Sequence, residues 1–287
     1  MAIEVRNVDF FYDDNIITPH QAIYDLSLTI DEGDMIAVAG ETGSGKSTLA
    51  EIMAGLAKPK NGEVFVDGAN IYASKDKKER LSAKEARRKV GMAFQYAEYQ
   101  LFEETVEKDI AFAPKEMGFS KEQTEEKVNR AMELVGLDTS IKDRAPYNLS
   151  GGEKRRVAIA GILAFSPKYL ILDEPMVGLD GKGQQDILNL MVKLNREDNT
   201  TIIFISHSME NIAEIARKMI VMKNGRLLAF DKVYNIFSNE ELLRNAGLKR
   251  PPIWGFLDKL KTSGINVKCD AITEDEGVER ILFAING

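Results

Sequence analysis

The sequence predicts an α/β fold with a mostly parallel core sheet, and three observations carry that prediction. Short, almost wholly apolar runs at residues 35–39, 169–172 and 201–206 have the composition of strands buried on both faces. Stretches with apolar residues at helical spacing lie between them, and alternation of this kind is the pattern of strands joined by crossover helices. The first run leads directly into a glycine loop, Gly40-Glu-Thr-Gly-Ser-Gly45-Lys46-Ser47-Thr48, and then into Leu49-Ala-Glu-Ile-Met-Ala-Gly-Leu at helical spacing.

In chain order, residues 3–12 and 22–30 alternate apolar and polar in part and are expected as strands. Residues 62–68 read as a strand with turn residues at both ends, and residues 90–95 as a shorter one. Between these lies a basic stretch, 75–89, which is either a solvated helical face or a contact for anionic lipid headgroups. Residues 106–114 suggest a short helix. Residues 120–136 have a helical pattern whose opening, Ser120-Lys-Glu-Gln123, fits a capping box. A helix from about residue 150 to residue 165 follows Leu149, then the strand ending at Asp173-Glu174. Residues 183–195 and 209–216 are helical again. Strands at 219–222 and 226–230 flank Lys223-Asn224-Gly225, so a hairpin is expected.

From about residue 239 the texture changes. Pro251-Pro252 stops one helical segment, residues 253–260 resume another, and residues 278–285 are expected to form a short strand. The remaining stretch, about fifty residues, is too short for an independent hydrophobic core. The organisation predicted is a main domain, 1–238, and a small appendage, 239–287, that packs on it or on a partner.

Composition narrows the function classes. Of 287 residues, 44% are hydrophobic and 29% charged, which suits a soluble globular chain rather than a disordered one. No run approaches the ~20 apolar residues of a spanning helix, and the opening Met-Ala-Ile-Glu-Val-Arg lacks the layout of a signal peptide, so residence in the cytosol is expected. A net charge of -7 argues against nucleic acid as a partner. The lone Cys269 excludes an internal disulfide or cysteine-based metal cluster and is expected as a small apolar residue.

The loop from Gly40 to Thr48 is a phosphate-binding loop in the context that such a loop requires, after a buried strand and before a helix. Its glycines, Gly40, Gly43 and Gly45, let consecutive backbone N–H groups turn inward on phosphates, with Thr42, Ser44 and Thr48 around them, and the helix N-terminus adds positive potential. Lys46 reaches the β- and γ-phosphates, and Ser47 offers a hydroxyl to Mg2+. Asp173 emerges at the carboxyl edge of the sheet, where that loop also lies, and is placed to hold Mg2+ directly or through water. Glu174 is either the base that polarises an attacking water or the cap of a following turn. Leu149-Ser150-Gly151-Gly152 opens a helix with a backbone suited to an anion.

These residues resemble an ABC-type ATPase over residues 3–237. Leu149 to Gly152 match that family's signature, and the other landmarks follow in family order. The resemblance implies a P-loop NTPase of ABC type with an antiparallel β subdomain and a helical subdomain, using ATP and Mg2+. It implies that Gln95 senses Mg2+ and the attacking water, that His207 holds the γ-phosphate, that Asp180 lies in the D-loop and that Tyr12 stacks on adenine. Each has a plainer reading beside it: Tyr12 an ordinary strand aromatic, Gln95 a turn residue, His207 a structural histidine. In the family two such domains sandwich two nucleotides head to tail, so Ser150, Gly151 and Gly152 would clamp the nucleotide of another subunit. A helix of that length, roughly 24 Å, agrees with a signature remote from its own phosphate loop.

A closer resemblance is to the second ATPase subunit of energy-coupling factor transporters, importers of vitamins and transition metals. It is carried by Phe94-Gln95-Tyr-Ala-Glu-Tyr-Gln100-Leu-Phe-Glu103-Glu104-Thr-Val, by Ser206-His207-Ser-Met-Glu210 and by the appendage. It implies a paralogous ATPase partner, contacted in part by the appendage, and a peripheral place on the cytoplasmic face of the cell membrane. It also implies a transmembrane coupling subunit, contacted near residues 95–110, whose arginines meet Glu103 and Glu104, and a separate membrane subunit that selects the substrate. The acidic pair also reads as a helix N-terminus favoured by the dipole. Two departures stand out. Glu41 occupies a loop position where a histidine or neutral residue is usual, so its carboxylate is expected to point outward, and Met176 replaces a usual Thr. The competing class, a soluble ABC ATPase acting on ribosomes, DNA or iron-sulfur assembly, usually brings tandem cassettes, coiled-coil insertions or basic arms, which this sequence lacks.

Overall fold

The computed structural model describes residues 2–12 and 20–286. Strands β1 (Ala2–Tyr12) and β2 (His20–Asp31) are followed by β3 (Met35–Ala39), helix α1 (Lys46–Met53), β4 (Asn61–Val66), β5 (Ala69–Asn70), α2 (Lys77–Arg87) and β6 (Val90–Ala93). Helices α3 (Val106–Glu116), α4 (Lys121–Leu134) and α5 (Gly151–Leu163) come next. Then β7 (Tyr169–Asp173), α6 (Gly181–Glu197), β8 (Thr201–Ile205), α7 (Met209–Ile215), β9 (Lys218–Lys223) and β10 (Arg226–Lys232) complete the sheets, and α8 (Val233–Ser238), α9 (Glu240–Ala246), α10 (Pro252–Thr262) and α11 (Glu274–Asn286) close the chain.

A six-stranded sheet has the order β10-β9-β3-β8-β7-β6, parallel from β9 to β6 with β10 antiparallel at one edge. An antiparallel four-stranded sheet has the order β2-β1-β4-β5. The two-residue period of a strand sends alternate side chains to opposite faces, and both faces of the parallel strands are covered. Ile36, Val38, Ile171, Ile203 and Ile205 join α1 and the antiparallel sheet in one core. Ala37, Leu170, Leu172, Ile202 and Phe204 join the residues of α3 to α9 in the other. Helices α1 and α5 therefore lie on opposite faces of the parallel sheet.

Helix α4 begins at Ser120 with both hydrogen bonds of the capping box in place, as its sequence pattern requires. The expected strand at 278–285 is not one: those residues lie in α11. Ile281 and Ala284, spaced for one helix face, pack with Ile253, Leu257 and Leu260 of α10, and Glu274, Asp275 and Glu276 supply the acidic first turn that a helix dipole favours. The apolar face of α10 is what this segment packs against. Leu243, Ala246, Leu248 and Trp254 pack against the main core, while Leu257, Val267 and Ala271 form a small cluster of their own. Cys269 is half-buried beside that cluster.

Candidate active site

The site begins where β3 ends. Gly40 has φ +151° and sits so close to the next strand that a Cβ there would come 2.2 Å from the Met222 carbonyl oxygen, so only glycine permits the chain to leave the sheet in this direction. At Gly45, the residue before α1, φ is +97°, a second requirement of the turn. Lys46 is buried, and its Nζ donates to the carbonyls of Gly40 and Glu41, each at 2.9 Å. Ser44 Oγ is buried with no hydrogen-bond partner among the described residues, a polar atom inside the loop that a phosphate oxygen would satisfy. Thr42 and Gly43 are exposed at the loop's tip. Glu41 points away from the loop interior: its carboxylate lies against Gly247 at the end of α9, where a Cβ would meet Oε1 at 2.1 Å.

The carboxyl ends of β7 and β8 bring the remaining charges to the same edge. Asp173 ends β7, and its carboxyl is raised above its usual range by burial, against the opposing pull of the Ser47 hydroxyl, Lys46 and His207. Glu174 takes the left-handed backbone conformation, φ +48°, uncommon for a non-glycine residue and found where surrounding structure over-determines the chain. Burial, and then Asp173 beside it, push its carboxyl up to about 7, with Lys46 and the His207 backbone N–H pulling the other way. His207 Nε2 stands 3.0 Å from Glu174 Oε1, yet that buried oxygen has no well-aligned hydrogen bond. Burial lowers the His207 pKa, with Lys46 acting in the same direction, which favours the neutral imidazole at neutral pH. Burial likewise lowers the pKa of Lys46, opposed by Glu174 and Asp173. A cation, two carboxylates, an imidazole and a hydroxyl are thus gathered around one glycine loop, as the sequence leads one to expect.

The other expected residues lie farther out. Tyr12, at the end of β1, shares a hydrogen bond of 2.8 Å with Thr48 Oγ1 and is partly exposed beside α1, with residues 13–19 outside the described part of the chain. Gln95 is exposed just beyond β6, whose parallel neighbour β7 carries Asp173 at the same edge. Ser150 caps α5 in a capping box with Glu153, donating to Glu153 Oε2 at 2.7 Å. Because α5 packs on the sheet face opposite α1, Ser150 does not join the Lys46 cluster. Gly152 instead lines a cavity of about 550 Å3 together with Asp180, which caps α6. Met176 is buried, and its Sδ accepts a hydrogen bond from Asn211 at 3.2 Å.

One charged group in this region is not singled out by motif matching. Arg155, buried on α5, bonds both carboxylate oxygens of Glu98, at 3.2 Å and 3.0 Å, in the short turn Ala97–Gln100. Its Nη1 also donates to the carbonyls of Pro175 and Val177. The signal available in the sequence is positional: Arg155 shares a helix face with Ile159 and Leu163, the face that is buried.

The phosphate loop after β3, the paired carboxylates at the end of β7, two strands along the same parallel sheet, and the remote signature define an ATPase of the ABC class. The ABC transporter family model matches residues 23–177, and the chain belongs to that family. Among curated proteins it is similar to the energy-coupling factor transporter ATP-binding protein EcfA2 of Caldanaerobacter subterraneus subsp. tengcongensis, with 44% identity over 100% of this chain and 99% of the relative. The protein of the same name from Clostridium perfringens is 43% identical over 99% of each chain. Of the solved structures, cbiO1 from Clostridium perfringens, described as part of the ABC transporter complex cbiONQ, aligns with a TM-score of 0.73 and 32% identity, covering 90% of this chain and 98% of its own. The ATP-binding cassette MJ0796, as a dimer in a post-hydrolysis state bound to ADP and Pi, aligns with a TM-score of 0.71 and 29% identity over 80% of this chain and 98% of its own. The chain is accordingly an ATP-binding protein of transport, with the antiparallel, parallel and helical parts of the ABC fold.

Proposed function

We propose that this chain is the ATP-binding subunit of an energy-coupling factor importer. It would hydrolyse ATP at a head-to-tail interface with a second, paralogous ATPase subunit and drive a membrane subunit that imports a vitamin or other micronutrient. The observation that carries the hydrolytic part is the placement of Glu174, a largely buried carboxylate held beside Asp173 and within 3.0 Å of His207. The full-length similarity to proteins named as energy-coupling factor ATP-binding subunits supports the transport part and disfavours a soluble role.

The phosphates enter the loop from Gly40 to Thr48, where Lys46 exchanges its two carbonyl partners for phosphate oxygens and Ser44 gains one. The donor set suits Mg2+, a hard cation that favours hydroxyl, carboxylate and amide oxygens: the Ser47 hydroxyl lies near enough to Asp173 to draw its carboxyl down, and Gln95 would complete the set. Bound there, Mg2+ supplies charge neutralisation at the phosphates. Glu174 accepts a proton from the water that attacks the terminal phosphorus, and the bond to the leaving β-phosphate oxygen breaks, releasing ADP and phosphate. His207 orients the terminal phosphate as a neutral hydrogen-bond donor, and Tyr12 would stack on adenine.

Ser150, Gly151 and Gly152, on the far face of the sheet from Lys46, would complete the partner's site, with Asp180 beside them across the cavity shared with Gly152. The chain therefore works as half of an enzyme. No helix among the described residues is long and apolar enough to cross a membrane, so anchorage on the cytoplasmic face would come through the coupling subunit near residues 95–110. The appendage would add to the contact between ATPase subunits. The decisive experiment is Glu174→Gln in the assembled complex: ATP binding is expected to persist while turnover falls by two orders of magnitude or more, roughly the scale of a lost general base. Substantial hydrolysis by the variant would remove Glu174 from that role.

A further inference from the structure

We infer that Arg155 is a positioning residue for ATP hydrolysis, a clamp that holds the turn after Gln95 and the turn after Glu174 in fixed relation to the signature helix. Three segments meet at its guanidinium. Helix α5, which starts at the Ser150 cap, supplies the side chain itself. The turn Ala97–Gln100, two residues beyond Gln95, supplies Glu98, gripped through Nε and Nη2. The stretch following Glu174 supplies the carbonyl oxygens of Pro175 and Val177, both to Nη1.

The physical case rests on what an arginine does here that an apolar residue does not. A buried ion pair is a poor source of stability, because desolvation offsets much of its Coulomb attraction. Its distinctive contribution is geometric: the planar fork fixes a carboxylate bidentately and still has donors for two carbonyls, whereas lysine presents a single point charge. With side-chain exposures of 8% for Arg155 and 16% for Glu98, the fork is sheltered from competing water. The segment it grips is one that needs support, since Glu174 holds the left-handed conformation immediately before Pro175. A displacement of that turn by about 1 Å carries the Glu174 carboxylate with it, and misplacement on that scale costs roughly a hundredfold in rate.

The inference rests on the reading of Glu174 as the base, and the test separates the two. In the assembled complex, kcat and KM for MgATP are measured alongside melting temperature for Arg155→Lys, Arg155→Ala, Glu98→Gln, Glu98→Ala and the double variant Glu98→Ala/Arg155→Ala. Glu98→Ala and Arg155→Lys are expected to lower kcat by about 10- to 100-fold with KM changed less than about threefold. Glu98→Gln, which keeps one hydrogen bond to the guanidinium, should recover part of the loss. The double variant should be no slower than Arg155→Ala, because both changes break one clamp. If Arg155→Ala does not fold, Glu98→Ala and Arg155→Lys carry the test. Folded Glu98→Ala and Arg155→Lys proteins with kcat within about twofold of the parent would overturn the clamp. An inactive Glu174→Gln beside a fully active Glu98→Ala would leave the base reading standing and remove only the clamp; a fully active Glu174→Gln would overturn the base reading and, with it, the clamp.

Discussion

Asp67 illustrates how much one residue can hold at the edge of the sheet away from the nucleotide loop. Its side chain is 4% exposed and accepts hydrogen bonds from Lys89 Nζ at 2.8 Å, Lys168 Nζ at 3.0 Å and the Tyr169 hydroxyl at 2.7 Å. Burial alone would raise its carboxyl, but these partners prevail and hold it at about 2, against an ordinary value of 3.8. The group therefore contributes stability that is fully present above pH ~4 and is lost as the pH falls through about 2. Its magnitude is about 2 kcal/mol. Asp67→Asn is expected to cost about 2–3 kcal/mol at pH 7 by taking from Lys89 its carboxylate and from Lys168 one of two among the described residues, Glu32 at 3.1 Å being the other. Urea unfolding should show the gap between variant and parent narrowing below pH 4, and a gap independent of pH would refute the assignment. In the sequence this residue is only the Asp-Gly of a turn after β4, because the groups that meet it, Lys89 just before β6, Lys168 just before β7 and Tyr169 at the start of β7, come from the parallel sheet.

At the scale of elements, helices announced by local signals appear where those signals stand. Ser120 and Ser150 both form capping boxes, since a cap involves residues three apart and needs nothing from the rest of the chain. Helix α11 is the counterexample. Its apolar run suits either secondary structure, and the choice is made by α10, which crosses it closely at Gly277, where a Cβ would come 2.4 Å from Ile253. Gly277→Val should force the pair apart at a cost of about 1–3 kcal/mol. Hydrogen exchange is expected to accelerate across residues 252–286 while ATP affinity stays at the parent value; unchanged exchange there would show that α10 and α11 do not depend on this crossing.

The whole molecule divides its labour between the two faces of the parallel sheet, with the nucleotide loop and α1 on one face and the helices bearing the signature on the other. The segment between Gln95 and α3 is left open on the outside. Tyr99 and Phe102 are exposed, Glu104, just before α3, pairs among the described residues with Lys108 of that helix, and the Glu103 backbone N–H donates to Asp109. A basic coupling segment would meet two carboxylates there. Glu103→Lys with Glu104→Lys is expected to reduce co-purification with the membrane subunits by at least about tenfold, the scale of one to two lost ion pairs on a partly desolvated surface, without altering ATP binding. Equal recovery of the complex would rule this surface out as the docking site.

The sequence by itself determined the parallel core, the phosphate loop and the cluster at its mouth, because those features depend on residues adjacent in the chain or on strand periodicity. Lys46, Ser47, Asp173, Glu174 and His207 each sit at the carboxyl end of a strand or the start of the following helix, so once the strands are parallel they converge on one edge. Only the tertiary structure decided that α1 and α5 lie on opposite faces, that residues 278–285 are helical, and that Arg155 links Glu98 to the chain beyond Glu174. Each of those depends on which surfaces meet across many residues of chain, and burial of apolar faces and satisfaction of buried charges settle that only when the whole fold has closed.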